Sequence, residues 1–269
     1  MKIEVKMERL DYILSSLSYH IHKKGKHNIH SPFVYDLITN VFEDHGEHAE
    51  YKALDKVRRN LLNDDNVIET VDFGTDAKDK EFITYRASVK KLTQSRSQTV
   101  RQSHLLIRLV KHFKPGTILE FGTATGLGCI AMALSNPKAK IISMEGCASI
   151  ASIAETQISN LNINNIELII GNFNNVLNDV LEKITALDLV FFDGKYRKIA
   201  ILDYFNHCLA KSNENSVFIF DDIHASIEME EAWNEIIQNQ SVHISLDVFH
   251  IGILFFNKGL SKQHFILKY

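Results

Sequence analysis

The spacing of hydrophobic positions along the chain changes at Gly116. Before it, apolar residues recur every three to four positions, as in LDYILSSLSYHI and FVYDLITNVF, which predicts helices across residues 8–62. Ser31 followed by Pro32 marks the start of one of them. The segment TVRQSHLLIRLVKHFK predicts a further amphipathic helix, which ends at Pro115.

After Gly116, short β-rich apolar runs alternate with helical segments. The runs are TILEF, AKIISME, IELIIG, LDLVFFD, NSVFIFDD and HISLDVFHIGILFF. Strands separated by helices predict βαβ units and a buried parallel sheet. The last run bends between Phe249 and Gly252, which is too short for a crossover helix, so its two halves should pair antiparallel.

These patterns predict the fold class and the domain organisation. We expect an α/β fold with a doubly wound, mostly parallel, seven-stranded Rossmann-like sheet and an antiparallel C-terminal hairpin. Residues 1–95 are predicted to form a mainly helical N-terminal cap that contacts substrate. Residues 96–269 are predicted to form the cofactor-binding domain.

Composition narrows the class of protein. The chain has 269 residues, 45% of them hydrophobic, which is enough for a sizeable core. A net charge of -3 does not indicate a protein that coats nucleic acid or an anionic membrane by bulk charge. The three cysteines are not spaced as a zinc or redox motif, and no signal peptide or membrane-spanning run is present. We therefore expect a soluble, cytoplasmic protein with buried thiols.

The run ILEFGTATGLGCIAMALS has the pattern of a ligand-binding turn. A strand leads into glycines at 122, 126 and 128, and a helix of small residues follows. Glycine lets the backbone approach a ligand, and a helix N-terminus offers N–H donors. The order G-x-x-x-G-x-G disfavours NAD, whose fingerprint is G-x-G-x-x-G. The next strand ends in Glu145, 23 residues after Gly122, and a carboxylate there suits ribose hydroxyls.

These features, with Gly171-Asn172 after the third strand and the terminal hairpin, resemble the class I S-adenosylmethionine (SAM)-dependent methyltransferases over residues 99–269. KHNIHSPFVYDL and FIFDDIH are similar to an uncharacterised Bacteroidetes-type group of methyltransferases. The resemblance implies SAM as cofactor. It assigns cofactor contacts to Glu120, Gly122, Thr123, Ala124, Gly126, Glu145, Gly146, Asn172, Phe173 and Asp193. The alternative is a βαβ turn whose glycines serve packing alone.

Acidic residues follow the next two strands. Asp193 follows one, and Asp221 and Asp222 follow the other, which resembles the catechol and caffeoyl-CoA type O-methyltransferases. The resemblance implies a metal site for Mg²⁺ or Ca²⁺ at these three carboxylates. The catalytic candidates are Asp193, Lys195, Asp222 and His224. His224 could act as a general base or pack a loop, and the aspartates could instead cap local structure.

The function these features favour is O-methylation of a small molecule. Between residues 82 and 119 there is no acid but there are eight basic residues, which could bind an anionic substrate or form a solvated helix face. RNA or nucleotide methylation and a non-catalytic SAM-binding module remain alternatives. We expect no membrane partner, and a homodimer is left open.

A second stretch, TVDFGTDA at residues 70–77, repeats part of the turn. It lacks the second glycine, the small-residue helix and the distant acid. We predict a strand-like edge of the cap near the substrate, and no second cofactor turn.

Overall fold

The computed structural model describes residues 4–73, 82–194 and 197–269, with side chains from Tyr12 onward. The helices are α1 (Glu4–His22), α2 (Pro32–Leu37), α3 (Ala49–Leu62), α4 (Val89–Arg96), α5 (Val100–Phe113), α6 (Leu127–Ser135), α7 (Ala148–Asn160), α8 (Phe173–Glu182), α9 (Lys198–Leu209) and α10 (Ile227–Ile236). A 3-10 turn (Lys26–Asn28) and a π-helical turn (Ile38–Phe42) flank α2. The strands are β1 (Val67–Asp72), β2 (Ile83–Ser88), β3 (Thr117–Phe121), β4 (Lys140–Glu145), β5 (Ile166–Ile170), β6 (Leu187–Phe192), β7 (Ser212–Asp221), β8 (Ile244–Asp247), β9 (Ile251–Phe255) and β10 (Gln263–Ile266).

The helix boundaries follow local signals in the sequence. Helix α2 begins as predicted, with Ser31 as N-cap and Pro32 as first residue. Helix α5 begins with a capping box, in which Thr99 and Gln102 each bond the other's backbone N–H. It ends as Lys114 turns to a φ of 50°, just before the predicted stop.

Contacts divide the chain into two compact units, residues 40–185 and residues 1–39 with 186–269. In the first, β3, β4 and β5 pair in parallel in that order. Gly122 donates its N–H to Met144 O (2.9 Å), and Gly171 donates to Glu145 O (2.9 Å). The turns that follow the three strands therefore lie side by side at one edge.

The same unit carries an antiparallel hairpin of β1 and β2. Strand β1 was expected as a strand-like piece, whereas β2 was not predicted. Apolar side chains pack the hairpin against the beginning of α7. They are Ile68, Val71, Tyr85, Ala87, Leu92, Cys147, Ile150 and Ile153.

The second unit contains the remaining strands, in the order β10-β8-β9-β7-β6. Strands β6 and β7 run parallel, while β9 pairs antiparallel with both β7 and β8. The antiparallel pairing of the last apolar run is confirmed. Strand β10 was not predicted, and it pairs in parallel with β8. The predicted α/β fold, with a mostly parallel Rossmann-like sheet, antiparallel C-terminal strands and an N-terminal helical region, is confirmed.

The structure also bears on the thiols and on the length of the helices. Cys129, Cys147 and Cys208 are all buried free thiols, as predicted. In the part of the chain that the structure describes, every helix is too short or too polar to cross a membrane. The domain boundary at residue 95 stays a prediction.

Candidate functional site

The turn after β3 has the backbone geometry of a tight ligand loop. Gly122 and Gly126 have φ angles of 94° and 92°, a region that favours glycine. A Cβ on Gly126 would also lie 3.1 Å from the Cβ of Ala154 in α7. Ala124 has a φ of 46°, which is unusual for a residue with a side chain.

Glu145 holds this turn in place. Its Oε2 accepts the N–H of Ala124 (2.9 Å), and its Oε1 accepts the N–H of Cys147 (2.9 Å). Each carboxylate oxygen can accept two hydrogen bonds, so the carboxylate keeps acceptor capacity for a ligand. Glu145 is 8% exposed, and this burial raises its pKa despite the backbone N–H groups and the Arg96 charge, which lower it. The structure thus brings together the acid and the turn that the sequence paired.

Glu120 lies deeper than its position at the strand end suggested. It is fully buried, and the hydroxyl of Ser143 donates to its Oε2. No described residue donates a hydrogen bond to Oε1, which faces Gly128 so closely that a Cβ there would collide with it. Burial, opposed by Ser143 and reinforced by the charge of Glu145, raises the pKa of Glu120 to about 8. Ser143 was not predicted as a site residue. The sequence did contain one indication of it, because Ser143 is the one residue with a hydroxyl group in the run KIISME.

Ionisation of Glu120 should make stability fall as pH rises. The unfolded carboxyl has a pKa of 4.5 and the folded one about 8, so the folded state binds the extra proton between these values. The loss on passing from about pH 5 to pH 8 should be a few kcal/mol. Urea unfolding of the wild type and Glu120→Gln should show the difference between the two shrinking or changing sign with rising pH.

A matched variant, Glu182→Gln, removes an exposed carboxylate at the end of α8 in the same unit. Its difference from the wild type should vary much less over this range. If the free energies of unfolding of Glu120→Gln and the wild type changed with pH in parallel, this would contradict a Glu120 carboxyl that is buried and protonated.

The remaining predicted cofactor residues of this unit also adjoin the three strand ends. Thr123 is buried, and its hydroxyl lies 2.5 Å from that of Ser143. Asn172 caps α8 by accepting the N–H of Asn174 (3.0 Å). Phe173 packs edge-on against Phe121, with ring centroids 5.6 Å apart. Their contacts with a cofactor stay predictions.

The acids proposed for a metal site do not form one. In residues 4–73, 82–194 and 197–269 no group of three or more His, Cys, Asp or Glu side chains is arranged to hold an ion. Asp221 is 5% exposed at the end of β7, whereas the next residue, Asp222, has a φ of 54° and a side chain 62% exposed. The predicted site at Asp193, Asp221 and Asp222 is therefore not supported.

His224 occupies a network of carboxylates in its own unit. Its Nε2 lies 2.8 Å from Asp247 Oδ2 and its Nδ1 3.4 Å from Glu230 Oε2. The Ser15 hydroxyl of α1 donates to that same Glu230 oxygen (2.6 Å), and the imidazole stacks on Phe249. Burial alone would lower the pKa of His224, but its hydrogen bond and charge interactions with the two acids raise it. This setting favours the loop-packing alternative over a general base. Lys195 lies outside the described residues.

The His224 network predicts a second pH effect, which arises from a histidine paired with acids and not from a buried carboxyl group. A raised histidine pKa stabilises the folded state fully below the unfolded value of 6.5, and this contribution is lost as pH rises through the folded value. Replacing His224 by Gln should cost about 1–2 kcal/mol near pH 6 and less near pH 9. His207→Gln removes an exposed pair with Asp203 and should change little at either pH. A pH-independent cost at His224 would contradict this expectation.

Part of the basic segment at residues 82–119 bonds to other residues of its own unit. Arg96 bonds Asp72 (2.7 Å), and Lys111 bonds Glu50 (2.9 Å). Arg108 donates to Val41 O (2.6 Å). These contacts favour a structural role for the basic residues over a dedicated anion-binding surface.

Comparison with known proteins finds methyltransferases that are similar to the part of the chain that contains the glycine turn. Residues 119–223, from β3 to just past β7, match the family model described as a methyltransferase domain. Over 80 residues the chain is 32% identical to a tRNA (guanine-N(7)-)-methyltransferase of Mycoplasma mobile. That match covers 30% of this chain and 40% of the relative, so it spans about two fifths of that protein.

Two solved structures share the fold. The S-adenosylhomocysteine (SAH)-bound methyltransferase PaMTH1 of Podospora anserina is 14% identical, with a TM-score of 0.57 over 85% of this chain and 97% of that one. The O-methyltransferase TomG of Streptomyces achromogenes, involved in tomaymycin synthesis and solved with SAM, is 16% identical, with a TM-score of 0.55 over 81% and 95%. The chain therefore has the class I SAM-dependent methyltransferase fold, with O-methyltransferases among its structural neighbours. Membership of the Bacteroidetes-type group stays a prediction.

Proposed function

We propose that the protein is a SAM-dependent methyltransferase. The observation that carries the proposal is the bracing of the glycine turn by Glu145, whose carboxylate binds Ala124 N–H and keeps acceptor capacity. The turn fits the cofactor because Gly126 has a conformation and a close contact that exclude a side chain. Glu145 would hold the ribose hydroxyls, and residues 122–126 would line the cofactor.

When bound, SAM supplies a methyl group on a positively charged sulfur. Transfer to oxygen breaks the carbon–sulfur bond, forms a carbon–oxygen bond and releases the acceptor's proton. The contribution of the chain is to hold the two reactants in line and to keep water away. The described carboxylates do not converge on a metal site, so we propose the transfer without a metal ion.

The acceptor we propose is the hydroxyl of a small molecule. O-methyltransferases such as TomG have the same fold, which supports this acceptor class. The N-terminal region, residues 1–95, would select it. Two residues of the basic segment, Arg96 and Lys111, are paired with acids, so an anionic acceptor has little support beyond the charge pattern itself.

A second candidate is methylation of RNA. The 80-residue similarity to a tRNA methyltransferase favours it, although this covers only 40% of that protein. An RNA enzyme should bind tRNA with an affinity that falls steeply as salt increases.

Turnover distinguishes these functions. The protein is incubated with methyl-labelled SAM and either a panel of catechols and other small hydroxyl compounds or bulk tRNA, and label transfer and SAH release are measured. We expect transfer to a small hydroxyl acceptor and none to tRNA. Transfer to tRNA alone would establish the second candidate instead. SAM binding without transfer to any acceptor would indicate a non-catalytic module.

A further inference from the structure

The hairpin β1–β2 is fastened to the loop that follows Glu145. Ser149 donates its hydroxyl to Glu69 O (2.5 Å), and the N–H of Val71 points at Cys147 Sγ (3.3 Å). These contacts join β1 to the start of α7, just after Glu145, the acid proposed to hold the ribose. The stretch at residues 70–77, which repeats part of the glycine turn, therefore begins beside the candidate cofactor site. Its residues 74–77 lie outside the described residues.

Phe73, the residue after β1, fills the space over Gly146. A Cβ on Gly146 would lie 2.8 and 3.0 Å from two carbons of the Phe73 ring. The aromatic ring thus stands where a side chain of the residue after Glu145 would otherwise be. It is 39% exposed, so part of the ring remains open to a ligand.

Neighbouring contacts fix the position of Phe73. Asp72 accepts a hydrogen bond from Arg96 (2.7 Å), and the same Arg96 nitrogen lies 2.6 Å from the hydroxyl of Tyr85. The ring of Phe82, 47% exposed, lies 6.0 Å from that of Phe73. Two partly exposed aromatic rings therefore lie near each other, and one of them packs on the residue that follows the buried Glu145.

We propose that Phe73 binds the nucleoside half of SAM, with its ring packed against adenosine while Glu145 holds the ribose. The inference rests on the proposed function and adds to it a residue from outside the cofactor turn. A purine offers a flat face for aromatic packing, and the adjacent carboxylate offers acceptors for its sugar. Gly146 is required because any side chain would displace the ring.

Calorimetric titrations with SAH and with 5′-methylthioadenosine test this role. Phe73→Ala should weaken both by about 5- to 100-fold, the range expected for loss of one base–aromatic contact. Phe73→Tyr and Phe73→Trp should bind within about threefold of the wild type, because they keep the ring. Tyr35→Ala, at a similarly exposed aromatic residue (45%) of the other unit, is the control and should bind as the wild type does.

Each outcome decides between the proposals. Unchanged or tighter binding of both ligands by Phe73→Ala would overturn the role of Phe73 and leave the proposed function standing. Weaker SAH binding with unchanged 5′-methylthioadenosine binding would also overturn it, because the loss would lie in the amino-acid half. No binding of either ligand to the wild type would remove the proposed function itself, and the inference with it.

Discussion

Glu145→Gln should weaken SAH binding by about 10- to 100-fold, equivalent to about 1.4–2.8 kcal/mol. The carboxylate accepts the backbone N–H groups of Ala124 and Cys147, and it is the proposed acceptor for the ribose. A glutamine amide offers only one acceptor oxygen, so one of these N–H groups loses its hydrogen-bond partner. The ligand also loses the negatively charged acceptor that the carboxylate provides. Isothermal titration calorimetry with SAH measures the change.

The matched control is Glu167→Gln on the neighbouring strand β5. That carboxylate is about half exposed and lies 3.6 Å from Lys140 in a surface pair. It should bind SAH as the wild type does. Folding of both variants is checked by urea unfolding, because the turn itself depends on Glu145. Equal SAH affinity of wild type and a folded Glu145→Gln would contradict the proposed role of this acid.

Gly128→Ala should lower the free energy of unfolding by about 1–3 kcal/mol, the usual cost of overpacking a core. An added methyl group would collide with Oε1 of the fully buried Glu120. Relief would require moving a carboxyl that Ser143 also holds. Alanine is otherwise favoured over glycine within a helix by about 1 kcal/mol, so the steric argument and helix propensity predict opposite signs.

Gly25→Ala provides the comparison. No atom lies within 4 Å of a Cβ at that position, and Gly25 has an ordinary φ of -84°. Its free energy of unfolding should stay within about 0.5 kcal/mol of the wild type. Urea titration of both variants is the measurement. A Gly128→Ala variant as stable as the wild type would show that the space around Glu120 is looser than the structure indicates.

The sequence was sufficient to predict the glycine turn and its position beside Glu145. A strand, spaced glycines and a small-residue helix specify the turn locally, and parallel strand order places the end of the next strand beside it. The hydrogen bond between Ala124 and Glu145 is the outcome of that local and periodic information. The antiparallel pairing of β8 and β9 was predictable for a similar reason, because their connection is short.

Contacts made between distant segments were not predictable from the sequence. Nothing local places Phe73 on Gly146, because that contact depends on how the hairpin docks. The depth of Glu120 depends in the same way on Ser143 and Gly128 around it. Asp221 and Asp222 are a similar case, because the sequence shows that both acids follow the same apolar run but not that Asp222 has a φ of 54° and an exposed side chain.

If the glycine turn binds SAM, the wild-type protein should also bind SAH, and a calorimetric titration with SAH measures this. We expect saturable one-to-one binding that Glu145→Gln weakens and Glu167→Gln does not. Absence of both binding heat and any rise in melting temperature at millimolar SAH would contradict it.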